Sequence, residues 1–392
     1  MSLSGEGTDR KTSVQPTIGA VDSEPQSGRF ARKGPSEWVV GSLGLLIGIG
    51  VALQILLPNR MNPTVFLAFG EDSSIHERYA RELLGDVITR PLGHDGKFFF
   101  IQANDPWYLA PDQHAYLLDR PIYRGQRMLF PMLASGFGLL PPAAIAWTML
   151  LTNVLALGAG TLVAAKLATR LGTSTWLGLA VPLNIGLLYE VWIGGGSILA
   201  YVFCVAALYA LSLGRGWMAA FLFAAAVLSR ETMLVFVLGV VALCWLEGGK
   251  LAWRLLLIPV SAVALWHIYL QTRLMGIGGV GAAWPLLAPP FVGLVQAFSV
   301  WGSQPQEILS NLVILALVVV FAPVALRSRL PIVWGALPFV VLATVFSVQT
   351  WRDSSDFTRA LAPIFTAAAF LIFVRRSERG VLPVSRSARE RS

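Results

Sequence analysis

The sequence predicts an all-α protein, a polytopic bundle of transmembrane helices with a large polar loop after the first span. Three observations predict it. Only 13% of the 392 residues are charged and 55% are hydrophobic, whereas soluble domains carry roughly 25% charge. Mean hydropathy is +0.64. The charges are also clumped, so that Trp38 to Leu57 holds none over 20 residues. At about 1.5 Å per residue, such a run crosses a hydrocarbon core of roughly 30 Å.

Taken in order, residues 1–36 are rich in Ser, Gly, Thr and Pro with mixed charges, and are expected to form a disordered tail. The run 38–57 is too long for a signal-peptide core, starts late and lacks a small-residue cleavage site, so it is expected to stay as a span. The loop 58–127 has 70 residues with nine acids and eight bases. Within it Ile75, Tyr79, Leu83 and Val87 recur every four residues. That spacing predicts an amphipathic helix on the membrane surface, with a break at Pro91 and Gly93.

Further apolar segments follow near 128–140, 142–165, 175–193, 196–213, 216–228, 233–246, 252–270, 308–326, 330–348 and 359–374, about 10–11 in all. The short piece 128–140 is expected to be a partial or interfacial helix, broken at Pro141-Pro142. The pieces 216–228 and 233–246 are each about 20 Å long as helix. They predict a short hairpin with Ser229-Arg230-Glu231-Thr232 at its tip. The alternative is one tilted helix with Arg230 and Glu231 as an internal ion pair. Residues 37–376 thus form the membrane domain, and 377–392 a second tail.

Lys and Arg near span ends set orientation. Arg29, Arg32 and Lys33, then Lys166 and Arg170, Arg215, Lys250 and Arg254, Arg327 and Arg329, and Arg375, Arg376 and Arg379 fall on one side. They place both termini in the cytoplasm, in a cytoplasmic (plasma) membrane. They also account for the net charge of +8 without a nucleic-acid partner. Cys204 and Cys244 lie in apolar runs and read as core packing. Four histidines, none spaced as a ligand pair, indicate no metal site, and a divalent ion stays possible without being indicated. No cofactor is expected, since no Walker loop, Rossmann fingerprint or nucleophile elbow occurs.

This topology gathers unusual polar groups on the outer face. Asp95 and Lys97 lie in GHDGKFFFIQ, and Arg124 and Arg127 in YRGQRMLFP. Glu190 ends the run 175–193, Arg230 and Glu231 form the hairpin tip, and WRDSSDFTRALAP supplies Trp351, Arg352, Asp353, Asp356 and Arg359. Ionisable groups at membrane depth are expensive and therefore functional candidates. Arginines there can hold a lipid phosphate bidentately, and a carboxylate beside them can take a proton from a hydroxyl. Phe98 to Phe100 would seat the Asp95 segment against lipid or apolar protein. Burial would raise the pKa of Asp95 and nearby cations would lower it.

GHDGKFFFIQANDP followed by LDRPIYRGQRMLFPML, with AVLSRETMLVF and WRDSSDFTRALAPIF later, resembles the GT-C superfamily over roughly residues 38 to 375. These are integral-membrane glycosyltransferases that use polyprenyl-phosphate sugars, here similar to a bacterial cell-surface glycopolymer type. The resemblance implies that Asp95 is the general base on the acceptor hydroxyl, with inversion at the sugar carbon. It implies donor-phosphate binding by Arg127, Arg230 and Arg359, with Arg124 and Arg352 behind them. Lys97, Glu190, Glu231, Trp351, Asp353 and Asp356 are supporting candidates. The acceptor would be an envelope glycan, lipid or protein, and membrane lipids surround the bundle. Many members have a second acid near the end of the first span; the nearest acidic pair here, Glu71-Asp72, lies 14 residues beyond Leu57, a departure from that pattern that leaves a second acid, and a metal bound with it, open.

Plainer roles compete at each position. Asp95 can be the N-cap of a short helix, Arg230-Glu231 a structural ion pair, and Arg352 and Arg359 interfacial anchors. Trp351 can stack on a sugar or pack in the core, and Asp105, Asp112 and Asp119 read as solvated loop charges. Two other functions stay open, a flippase or transporter of a lipid-linked sugar and a non-catalytic scaffold of an envelope glycan assembly complex.

Overall fold

The computed structural model describes residues 34–71, 74–249, 252–279, 287–302 and 304–374. Most of the two expected tails lies outside the described residues, as do Asp72, Arg29, Arg32, Lys33, Lys250, Arg375, Arg376 and Arg379. Among the described residues the regular structure is helical, apart from one isolated bridge and two short strands. Strand β1 (Phe69–Gly70) pairs in parallel with β2 (Thr89–Arg90), Phe69 opposite Thr89 and Gly70 opposite Arg90.

The chain runs back and forth between two ends. Helix α1 (Glu37–Leu56) starts at Ser36, whose hydroxyl accepts from the Val39 amide. The polar loop then holds α2 (Ser74–Leu84), α3 (Gly96–Asn104), α4 (Pro111–His114) and α5 (Pro121–Gly125), and α6 (Leu129–Ala134) leaves it. Helix α7 (Pro142–Arg170) returns along α1, so that Thr169 donates to Glu37 at 3.0 Å. Helix α8 (Ile185–Trp192) climbs and α9 (Ser197–Ser212) descends, ending where Arg170 donates to the Ser212 carbonyl at 2.9 Å.

Helices α10 (Gly216–Ser229) and α11 (Met233–Leu246) go out and back. Arg254, at the start of α12 (Ala252–Leu274), lies 4.7 Å from the ring centroid of Trp217, at the start of α10. One straight helix would put those residues far beyond the reach of the connecting turn, so the hairpin is the arrangement found. Helix α12 climbs to the polar loop, where Trp266 donates to the Gly125 carbonyl. After α13 (Val292–Trp301), α14 (Pro305–Ala325) descends and α15 (Pro331–Ala336) with α16 (Pro338–Thr344) climbs. Helices α17 (Val348–Trp351) and α18 (Ser354–Ala360) sit at the loop end, and α19 (Ala362–Phe373) returns. Pro35 and Phe373 therefore share an end: Thr175 donates to the Pro35 carbonyl at 2.9 Å, and Thr173 to the Phe373 carbonyl at 3.1 Å.

Among the described residues four helices, α1, α7, α12 and α14, are long and apolar enough to cross a membrane, or five spans if α18 and α19, bent by 62°, count as one. Several expected continuous segments are broken. The run 175–193 becomes a 3-10 turn at Thr175–Ala180 followed by α8, because Pro182 interrupts it and Asn184 caps the restart by accepting from the Gly186 and Leu187 amides. The run 330–348 breaks at Pro338, where proline removes a donor. Helix α13 has no counterpart among the expected segments, since ten apolar residues are too few to read as a span. Helix α2 stops before Val87 and buries His76 and Ala80, while Ile75 and Leu83 stay exposed. Polar ties fix that rotation: His76 Nε2 lies 2.7 Å from the Leu117 carbonyl, and the Tyr79 hydroxyl 2.7 Å from His114 Nδ1.

Close packing of α1 on α7 depends on glycine. A Cβ on Gly44 would lie 2.1 Å from Thr161 Oγ1, whereas Gly50 has open space around it. Overpacking of this kind costs about 1–3 kcal/mol, and replacing an exposed helical glycine by alanine gains roughly 0.5–1 kcal/mol. Gly44→Val is expected to lower the unfolding midpoint in detergent, and Gly50→Ala to leave it equal or higher.

Candidate functional site

The stretch around Asp95 is built by backbone contact. A Cβ on Gly96 would lie 2.4 Å from the Ile193 carbonyl and 2.6 Å from that of Phe66. Only glycine lets the start of α3 sit so close to both. Phe98, Phe99 and Phe100 are buried, so they seat the segment against protein. Phe99 meets Phe130 and Phe100 meets Phe69 edge to face. Asp95 occupies the N-cap position of α3, yet its side chain makes no capping hydrogen bond. The cap role expected as an alternative is therefore absent.

The carboxylate goes to arginines instead. Arg124 Nη1 donates to Oδ1 at 2.7 Å and Arg359 Nη1 to Oδ2 at 2.8 Å. Arg127 Nη1 lies 3.7 Å from Oδ2. Each arginine is anchored by a second acid. Arg124 grips Asp119 with two bonds of 2.8 and 2.9 Å, and also lies over the Phe98 ring at 4.2 Å. Arg127 grips Glu231 with bonds of 2.8 and 2.7 Å, and its Nη2 also meets the Tyr123 hydroxyl. Arg359 reaches Asp356 at 3.1 Å and Glu190 at 3.5 Å.

Glu190 is buried and takes Arg230 Nη1 at 2.9 Å and the Ser197 hydroxyl. A Cβ on Gly195 would overlap its carboxylate at 1.7 Å, so the run Gly194-Gly195-Gly196 makes room for it. Arg230 and Glu231 are thus each paired with a different partner, not with each other.

Four guanidinium groups therefore hold Asp95, Asp119, Glu190, Glu231 and Asp356. The Asp95 side chain is 15% exposed. Burial alone would raise its pKa, but the charges of Arg124, Arg359 and Arg127 and the Arg124 hydrogen bond outweigh burial and hold it well below the usual carboxylate range. Asp119 is lowered in the same way, burial being outweighed chiefly by Arg124. His94, the next residue, is lowered by burial and stays neutral near pH 7.

A cavity of about 760 Å³ adjoins this network. His94, Tyr189, Trp192, Arg90 and Asp353 line it, with Val51 and Ile55 from the end of α1 as an apolar wall. Tyr189 Oη lies 3.2 Å from His94 Nε2.

Of the residues singled out by sequence, Asp95, Arg124, Arg127, Arg230, Arg359, Glu190, Glu231 and Asp356 come together. Arg352 does not; it is exposed and has no ion pair with a described residue. Trp351 is 1% exposed, stacked on Phe357 at 3.7 Å between centroids, and so is core, out of reach of a sugar. Asp353 caps α18 through the Ser355 amide at 2.8 Å. Lys97 is buried, its ammonium 5.2 Å from the Phe98 ring. Asp119 is an arginine clamp, and Asp105 is buried, accepting from the Leu109 and Ala110 amides at 2.7 and 2.9 Å, so neither is a solvated loop charge. Tyr123, Ser197, Arg90, Tyr189 and Trp192 were not anticipated. Gly194-Gly195-Gly196 just before Ser197 was a readable sign of close backbone approach.

No family model, no curated protein and no solved structure matches the chain.

Removing one partner of a buried pair costs about 3–5 kcal/mol. Arg127→Met, which strands Glu231, is expected to destabilise by that order in chemical unfolding, whereas Arg352→Ala stays within about 0.5 kcal/mol. The depressed folded-state pKa of Asp95 stabilises the protein fully above its unfolded value of about 3.9, and that contribution is lost as pH falls through the folded value. The thermal midpoint is thus expected to fall as pH drops below about 4, and to fall less in Asp95→Asn.

Proposed function

We propose that the chain is a glycosyltransferase of the cytoplasmic membrane, a polytopic helical bundle with the Asp95 network on the outer face and both termini in the cytoplasm. The described basic residues Lys166, Arg170 and Arg254 lie at the end shared by Pro35 and Phe373, opposite the network, and the positive-inside rule turns that asymmetry into an orientation. The donor is a polyprenyl-phosphate sugar and the acceptor an envelope glycan, lipid or protein hydroxyl.

The observation that carries this reading is the convergence of Arg124 and Arg127 from one stretch and Arg359 from a remote one on one carboxylate beside a cavity. In the reaction an acceptor hydroxyl oxygen bonds to the sugar carbon, the bond from that carbon to the phosphate oxygen breaks, and Asp95 takes the hydroxyl proton. A carboxylate held so far below its usual pKa is a weak base. The donor supplies the remedy, because its phosphate competes for the same guanidinium groups. As Arg124 and Arg359 turn toward the phosphate, Asp95 loses positive charge and its proton affinity rises. The arginines meanwhile stabilise the negative charge that develops on the leaving phosphate. Arg230 and Glu190 position Arg359, and Glu231 with Tyr123 positions Arg127.

Radiolabelled sugar transfer from a panel of polyprenyl-phosphate sugars to membrane acceptors tests this. Wild type is expected to transfer, and a folded Asp95→Asn to lose about 10²–10⁴-fold, the range of general base catalysis. Equal transfer by both removes Asp95 as the base. If neither transfers while lipid-linked sugar crosses liposome membranes, the chain is a flippase.

A further inference from the structure

Arg90 has no part in the chemistry above, and its surroundings are unlike those of the network arginines. It is only 8% exposed. Neither Nη1 nor Nη2 has a hydrogen-bond partner among the described residues. Arg124, Arg127, Arg230 and Arg359, by contrast, each touch a carboxylate. Burial pushes the Arg90 guanidinium down to about 10, with the Tyr189 phenol acting in the opposite sense, yet it remains a cation at neutral pH. An unpaired buried charge is costly, and a retained one calls for a partner.

The chain fixes where this cation sits. Arg90 closes the β1–β2 pair, and its carbonyl accepts from the Glu71 amide at 2.9 Å. The indole of Trp192 lies over the guanidinium, 4.0 Å from centroid to Cζ. Trp192 is itself 38% exposed and also packs against the rings of His94 and Tyr189. Arg90 and Trp192 line the 760 Å³ cavity together with His94, the residue before Asp95. That volume falls within the range of small-molecule sites. Val51 and Ile55 of α1 with Ile88 and Leu92 give the wall most of its apolar surface, while Gln54, Asn59, Thr89, Tyr189 and the acid Asp353 are its further polar members. Beside it α1, long and apolar enough to cross a membrane, keeps Ile49, Leu53 and Leu57 exposed.

A planar cation without a carboxylate partner among the described residues, in the wall of a cavity that is apolar along α1, suits an anion carried on a hydrocarbon chain. The fork geometry of arginine favours phosphate. We propose that this cavity docks a phosphate-bearing isoprenoid amphiphile, with its phosphate on Arg90 once Trp192 swings aside and its chain along α1. The site deepens the transferase assignment above and rests on it for the identity of the lipid. It names Arg90, outside the Asp95 network, as the arginine that first takes the donor phosphate.

Binding to the full chain in nanodiscs of zwitterionic lipid tests it, with farnesyl phosphate, farnesol and inorganic phosphate as probes and calorimetry as readout. Farnesyl phosphate is expected to bind wild type, and Arg90→Met to weaken it about 10–100-fold, the worth of one charged hydrogen bond. Farnesol should bind both proteins alike, because it lacks the charge. Gln54→Trp, on the exposed rim of the cavity, should weaken farnesyl phosphate and farnesol together, at least tenfold by steric block, roughly the worth of 1.4 kcal/mol. That arm decides the matter if Arg90→Met folds poorly. Unchanged farnesyl phosphate affinity in a folded Arg90→Met, or in Gln54→Trp, overturns the proposal. So does inorganic phosphate binding as tightly as farnesyl phosphate, which would make the site one for a soluble anion. Binding that depends on Arg90 without any sugar transfer would keep this site and dismiss the transferase. Transfer with no Arg90-dependent binding would do the reverse.

Discussion

The shared carboxylate of Asp95 is the interaction on which the rest of this end of the molecule depends. Its two oxygens are divided between Arg124 and Arg359, with Arg127 close behind at 3.7 Å. Charges this sheltered are stable only when matched. Each arginine therefore needs a further acid, and each acid comes from a different element: Asp119 before α5, Glu231 between α10 and α11, Glu190 on α8 and Asp356 on α18. One ionic network thus fastens together five separate parts of the chain.

That demand explains why helices stop where they do. A run of apolar residues would pass through this level as continuous helix, which satisfies its own backbone and leaves no turn to present a charge. Here Asn184 restarts α8 so that Glu190 points inward, Gly194-Gly195-Gly196 gives its carboxylate room, and Asp353 opens α18 just ahead of Arg359. The breaks are costly in an apolar setting, and they cluster where the charges are. The proposed function rests on the same constraint. In the proposed reaction a base clamped by cations is idle until another anion claims those cations, so substrate binding and base activation become one event, and Arg90 in the neighbouring cavity is the proposed place for that anion to arrive.

Much of this was legible in the sequence. The apolar runs gave the helical class, the basic residues near 166–170 and 215–254 gave a shared end for Pro35 and Phe373, and Ser229-Arg230-Glu231-Thr232 gave the hairpin tip. Asp95 and the arginines stood out because charge is scarce in such a chain. Their partners did not, because ion pairing depends on which helix faces which, and no spacing records that. Asp119 and Asp105 looked like ordinary loop acids for this reason. Trp351 looked available because it precedes Arg352, but helical rotation turns it into the core against Phe357. Arg90 was hidden among loop charges, since only burial distinguishes it. The breaks at 181–184 and 337–338 needed the local chemistry of Pro and Asn to be weighed above hydropathy.

The central claim is that guanidinium groups suppress the basicity of Asp95 and that the donor's phosphate releases it. The most direct test is infrared difference spectroscopy of the Asp95 carboxylate across a pH titration, with the band assigned by its absence in Asp95→Asn. Asp95 is expected to titrate well below the ordinary range of about 3.9 in the free protein, and to shift upward when the polyprenyl-phosphate sugar donor is bound. An ordinary value in the free protein, or a depressed value that the bound donor leaves unmoved, would contradict it.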